Sequence, residues 1–216
     1  MNIDLIHEKA CNYINTVLKP IVESTGEHLE GNVFQEDPID TDLYQRFLPK
    51  RKSIIVSCKN KTNALEIGFN SGYSAVLILL SNLNIKLTCV DIGYHKYTIP
   101  CYNQIKQDFG DRIELLIGDS RNVVPTINDR FDLVHIDGGH TLEIAECDII
   151  NSNKLLMNNS VIIMDDVNVN VNDNNHTYHT QALSNLWIQY TIQYGYKEPS
   201  FEIYKNDHND VRELIK

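Results

Sequence analysis

Apolar and polar positions in this chain follow two periods. Short apolar runs at Asn63–Ile67, Lys86–Asp91, Arg112–Ile117, Phe131–Ile136 and Ser160–Met164 predict strands. Between them, helix-period stretches fall at Tyr73–Asn82, Pro100–Phe109, Arg121–Asn128 and Leu142–Met157, the last with Thr141 as its N-cap. Strands this short and apolar are typically covered on both faces, so a parallel sheet is expected. Right-handed crossovers then give a doubly wound α/β fold.

The two ends read differently. Ile6, Ala10, Tyr13, Ile14 and Val17 share one face of a helix over Ile3–Leu18, which Pro20 should end or kink. A second helix is expected from Thr41 or Asp42, burying Leu43, Phe47 and Leu48 and interrupted by Pro49. KSIIVSC forms a third, short helix. Residues 1–50 thus read as a helical appendage and 51–216 as the core domain. The cluster Lys50-Arg51-Lys52 reads as a solvated helix end. After the fifth strand come a polar loop over 166–179 containing His176 and His179, a helix from Gln181 to about Gln193, and two strands joined by the turn Asn206–Asp210.

Composition adds limits. A chain of 216 residues, 42% of them hydrophobic, fits one domain with a sizeable core. No apolar run is long enough to span a membrane, and the charged N-terminus lacks a signal-peptide pattern. Five cysteines without C-x-x-C spacing point to a reduced, cytoplasmic protein. The net charge of −10 argues against a non-specific grip on nucleic acid or an anionic membrane. Assembly into a homo-oligomer is allowed.

Chemistry concentrates at the carboxyl ends of the strands, where open α/β sheets bind ligands. ALEIGFNSGYSAV, starting at Ala64, reads as strand, turn and helix. Gly68 and Gly72 open the turn, and Asn70 and Ser71 lie between them near the new helix N-terminus. Glu66 is an acid in a strand that should be buried, and it needs a cationic partner, which a ligand could supply. Asn70 stands where a dinucleotide fingerprint requires its second glycine. Asp91 follows Gly72 by the interval expected of an acid that binds ribose hydroxyls. The other strands end in Asp119-Ser120, Asp137 and Asp165-Asp166, so every core strand brings an acid to one rim.

The string EIGFNSGYSAV resembles motif I of class I S-adenosylmethionine (SAM) dependent methyltransferases, in particular the metal-dependent O-methyltransferases of the catechol type. DLVHIDGGH (132–140) and SVIIMDDVN (160–168) are similar to the fourth- and fifth-strand motifs of those enzymes. The resemblance covers residues 63–168. It implies a SAM site at Glu66, Gly68, Asn70, Ser71, Gly72, Asp91, Asp119, Ser120 and Asp137, with Asp119 and Ser120 at the adenine edge. It also implies strand order 3-2-1-4-5-7-6 and a Mg²⁺-class cation on Asp137, Asp165 and Asp166, although the catechol enzymes have Asn in place of Asp166. His140 falls where those enzymes place a catalytic lysine, and an imidazole there can take a proton near neutral pH. His135 reads as facing a helix.

The expected function is metal-assisted methyl transfer to the hydroxyl of a small polar acceptor, with His140 and Asp137 catalytic. The alternatives are a nicotinamide-dependent oxidoreductase and a non-catalytic SAM-binding protein.

Overall fold

The computed structural model describes residues 1–30, 47–168, 178–204 and 209–215, with side chains of the third stretch described from 181. The expected helix start at Thr41 or Asp42, the loop residues 169–177 with His176, the side chain of His179 and most of the Asn206–Asp210 turn lie outside them.

The chain opens with α1 (Ile3–Tyr13), whose first turn is capped by the Asn2 side chain accepting from the Leu5 N–H. A π-helical turn, Ile14–Leu18, joins it to α2 (Lys19–Ser24). The helical run thus continues from Ile3 to Ser24, and Pro20 is accommodated by an irregularity in it, the π turn, instead of ending it. The wider turn before it absorbs the missing N–H, and Pro20 sits in the first turn of α2, where that N–H has no intrahelical use. Next come α3 (Leu48–Ser57), β1 (Asn63–Ile67), α4 (Tyr73–Ser81), β2 (Lys86–Asp91), α5 (Thr98–Phe109) and β3 (Ile113–Ile117). The helix expected over Arg121–Asn128 is only α6 (Ser120–Val123), because Pro125 turns the chain into a 3₁₀ turn. Then follow β4 (Phe131–Ile136), α7 (Leu142–Leu155), β5 (Leu156–Asp165), α8 (Tyr178–Tyr194) and β6 (Asn209–Leu214). Thr141 caps α7, accepting from the Ile144 N–H.

Six strands form one sheet in the order β3-β2-β1-β4-β5-β6. All neighbours are parallel except β5 and β6. Among the described residues, the first arm of the expected C-terminal hairpin is reduced to a single bridge, Lys197–Glu213. Pro199 follows that bridge and cannot donate to a ladder. The sheet therefore resembles 3-2-1-4-5-7, with the outer strand vestigial.

Alternation along the strands divides the core. Ala64, Cys89, Leu133 and Ile163 face one helical layer, which includes α1, α3, α4 and α5. Leu65, Val90, Val134 and Ile162 face the other, with α7 and α8. Helix α4 is apolar on all sides and accordingly buried on all sides. Ala10, Ile14, Leu18 and Val22 of the N-terminal helices belong to the first of these clusters. The boundary placed at residue 50 falls inside α3. All five cysteines are free thiols, and no described helix is long and apolar enough to cross a membrane.

Candidate active site

A cavity of about 310 Å³ opens at the carboxyl ends of β1 to β4. Its wall includes Gly68 and Asn70 after β1, Asp91, Tyr94 and His95 after β2, Gly118 to Arg121 after β3, and Asp137 to Gly139 after β4. Gly68 has φ +94°, and a Cβ there would lie 1.9 Å from the Asp137 carbonyl oxygen. Only glycine lets the ends of β1 and β4 approach this closely.

Asp91 is held in place before any ligand arrives. Its two oxygens accept from the Asn70 N–H (2.8 Å) and the Gly93 N–H (2.7 Å). Each keeps a further lone pair for a hydroxyl. Asp119 caps α6 by accepting from the Arg121 N–H, and the Arg121 guanidinium grips the same carboxylate while reaching Glu143 at 2.8 Å. That grip holds the Asp119 carboxyl below its ordinary range. Asp119 and Ser120 both line the cavity, with Asp119 already engaged as cap and ion-pair partner.

Three expected cofactor residues are not on the cavity wall. Glu66 is fully buried, and its partner is the protein itself: its carboxylate lies 3.1 Å from His135 Nδ1 and 3.5 Å from Cys89 Sγ. Register explains this, because Glu66, Cys89 and His135 are direct neighbours across β1, β2 and β4 and point to one face. Gly72 has φ +79°, and a Cβ there would meet the Ile105 and Phe69 side chains at 2.5–2.6 Å, so its role is packing. Ser71 is buried in the same turn.

Beyond the cavity floor the acids divide into two groups that share Asp137. His135, Asp137 and Asp165 approach one another on the buried side, and Asp137, His140 and Asp166 on the open side. His140 is 62% exposed, and its Nε2 lies 2.7 Å from Asp166 Oδ2. Chiefly through that hydrogen bond, its pKa is raised above the ordinary imidazole value. Burial, with the Asp165 charge second, pushes the Asp137 carboxyl well up, against the pull of Lys50. Lys50 was expected in solvent. It is 4% exposed and forms an ion pair with the equally buried Asp165.

Residues 65–167 match the family model described as a methyltransferase domain. Residues 65–167 thus carry a methyltransferase domain. No curated protein sequence matches it significantly. The fold is similar to the S-adenosylhomocysteine (SAH)-bound methyltransferase PaMTH1 of Podospora anserina at 18% identity and TM-score 0.64, covering 100% of this chain and 97% of that one. It is similar to the O-methyltransferase TomG of Streptomyces achromogenes, solved with SAM, at 14% identity, TM-score 0.59 and full coverage of both chains. The N-methyltransferase NodS of Bradyrhizobium japonicum WM9, solved with SAH, shares the fold at 13% identity and TM-score 0.58, covering 91% and 99%. The methyltransferase-domain match weighs against the nicotinamide reading.

Methyltransferases of the catechol type would hold a divalent cation on Asp137, Asp165 and Asp166. Among the described residues these three carboxylates do not form one group, since Asp165 and Asp166 fall in different ones. Each already has a side-chain partner, Lys50 for Asp165 and His140 for Asp166. A divalent ion about 4 Å from an ammonium is repelled by roughly 8 kcal/mol at an effective dielectric of about 20. That repulsion offsets part of the carboxylates' attraction, and the expected three-carboxylate set is not assembled in this arrangement, where Lys50 already occupies the cation's place at Asp165. Lys50 carried no signal of this in the sequence beyond its basic neighbours; its start in a helix after Pro49 gave only the backbone.

Proposed function

We propose that this protein transfers a methyl group from SAM to an oxygen of a small polar acceptor. The observation that carries the reading is the continuity of the site. One wall holds Asp91, whose carboxylate keeps lone pairs that a ribose could use, and the floor passes through Asp137 to the exposed pair His140–Asp166. The O-methyltransferase TomG supports an oxygen acceptor, while the N-methyltransferase NodS on the same fold shows that the sheet alone does not choose one.

SAM supplies a methyl already activated on a sulfonium, and the C–S electron pair stays on sulfur as the new C–O bond forms. The chain's own residues must orient the acceptor and remove its hydroxyl proton. With Asp166 accepting from the Nε2–H, neutral His140 presents Nδ1 as the free lone pair, and the proton goes there. The resulting imidazolium is stabilised by Asp166. The SAM-binding non-catalytic alternative predicts cofactor affinity without turnover.

The test has two parts. Calorimetry with SAH should show binding that falls at least tenfold in Asp91→Ala. Incubation with methyl-labelled SAM and a panel of phenols, catechols and sugars should then give a labelled ether, and methylation of amines alone would overturn the oxygen assignment.

A further inference from the structure

We infer that Lys50 is a built-in cation that takes the place of a divalent metal beneath the active site. This inference rests on the methyl-transfer reading for its importance, but its test does not require turnover. The ammonium pairs with Asp165 with both side chains out of solvent, 6% and 3% exposed. Asp137 and His135 close around the same carboxylate from β4, because residues 135 and 137 point to the face that α3 covers.

The position of Lys50 is not explained by its helix. It lies in the first turn of α3, just after Pro49. A cation there opposes the helix dipole, which favours acids at that end. Burying a long charged side chain also needs a compensating partner. The acids of β4 and β5 supply it, with Asp165 the contact and Asp137 and Asp166 contributing at longer range. The Phe47 ring, 5.8 Å from Nζ, closes the other side. Asp165 Oδ1 is buried as well.

A single fixed charge changes what the site demands. Without Lys50, Asp137 and Asp165 would be two converging carboxylates, an arrangement that attracts a hard cation. With it, the floor has its positive charge from the chain.

The experiment uses the full-length protein after chelator treatment, with Mn²⁺ as the probe, read by electron paramagnetic resonance. SAH calorimetry runs in parallel. The wild type should leave Mn²⁺ free up to about millimolar concentration, and Lys50→Arg should do the same. Lys50→Met, which keeps the stem and removes the charge, should bind Mn²⁺ at least tenfold more tightly than the wild type and recover thermal stability when Mn²⁺ is added. Tight Mn²⁺ binding by the wild type, or no gain in a folded Lys50→Met, overturns the inference. Should Lys50→Met not fold, the wild-type titration decides alone. Loss of SAH binding in the wild type would strike the cofactor assignment instead and leave the Mn²⁺ result standing.

Discussion

His140 Nε2 and Asp166 Oδ2 lie 2.7 Å apart at the mouth of the site, on a side chain otherwise largely in solvent. The pair explains how an exposed imidazole can be both aimed and tuned. It also makes His140 a stronger base that is protonated over a wider pH range than a free histidine.

The pH–rate profile should therefore rise with a limb above the ordinary imidazole pKa of about 6.5, because only the deprotonated ring accepts a proton. Asp166→Asn removes the principal cause of the raised pKa and should move the limb toward lower pH. His140→Ala should lower the rate by about 10² to 10⁴ and abolish the limb. A profile unchanged in Asp166→Asn would remove His140 as the base.

Glu66 and Asp91 should separate cleanly in SAH affinity. Glu66→Gln disturbs the buried hydrogen bond to His135 and should cost about 1–3 kcal/mol in urea unfolding, with SAH affinity within about twofold of wild type. Asp91→Asn should weaken SAH strongly, and because its amide nitrogen cannot accept from the Asn70 or Gly93 N–H it should also cost about 1–3 kcal/mol of stability. Equal loss of SAH affinity in both variants would return Glu66 to the cofactor site.

Asp148, just behind the cavity wall at Gly138, offers a stability test. It lies on α7, and burial pushes its carboxyl up to about 6. An acid whose folded pKa is raised binds more protons when folded, so stability falls as pH rises from about 4 to 6. The penalty is absent below that window and complete above it. Asp148→Asn should be more stable than wild type above pH 6, by up to about 2–3 kcal/mol, with the difference shrinking toward pH 4. A pH-independent difference in melting temperature would contradict this.

Gly68→Ala should destabilise by about 3 kcal/mol or more, combining a positive φ with overpacking against backbone. Gly26→Ala has a similar φ of +71° but open space around it. It should cost only about 1 kcal/mol. Denaturant midpoints of the two variants give the comparison directly.

Much of this architecture could be read from the sequence because its signals are local. The strands at Asn63–Ile67 and Phe131–Ile136 announce themselves by apolar runs, and the glycines around Asn70 by turn chemistry. Site contacts set by distant pairing were not legible. The partner of Glu66 lies 69 residues away on β4 and is fixed by register. Lys50 meets Asp165 across 115 residues, and a basic triplet looks the same whether it ends in water or under a sheet. Pro20 marked an irregularity but not its form, since a π turn accommodates what an ideal helix cannot.

The contact at Gly68 has a consequence for how this enzyme could diversify. A missing carbon atom sets the spacing between the strand that begins the cavity and the strand that carries Asp137. Those two strand ends cannot be remodelled one at a time, so the floor is effectively frozen to inheritance.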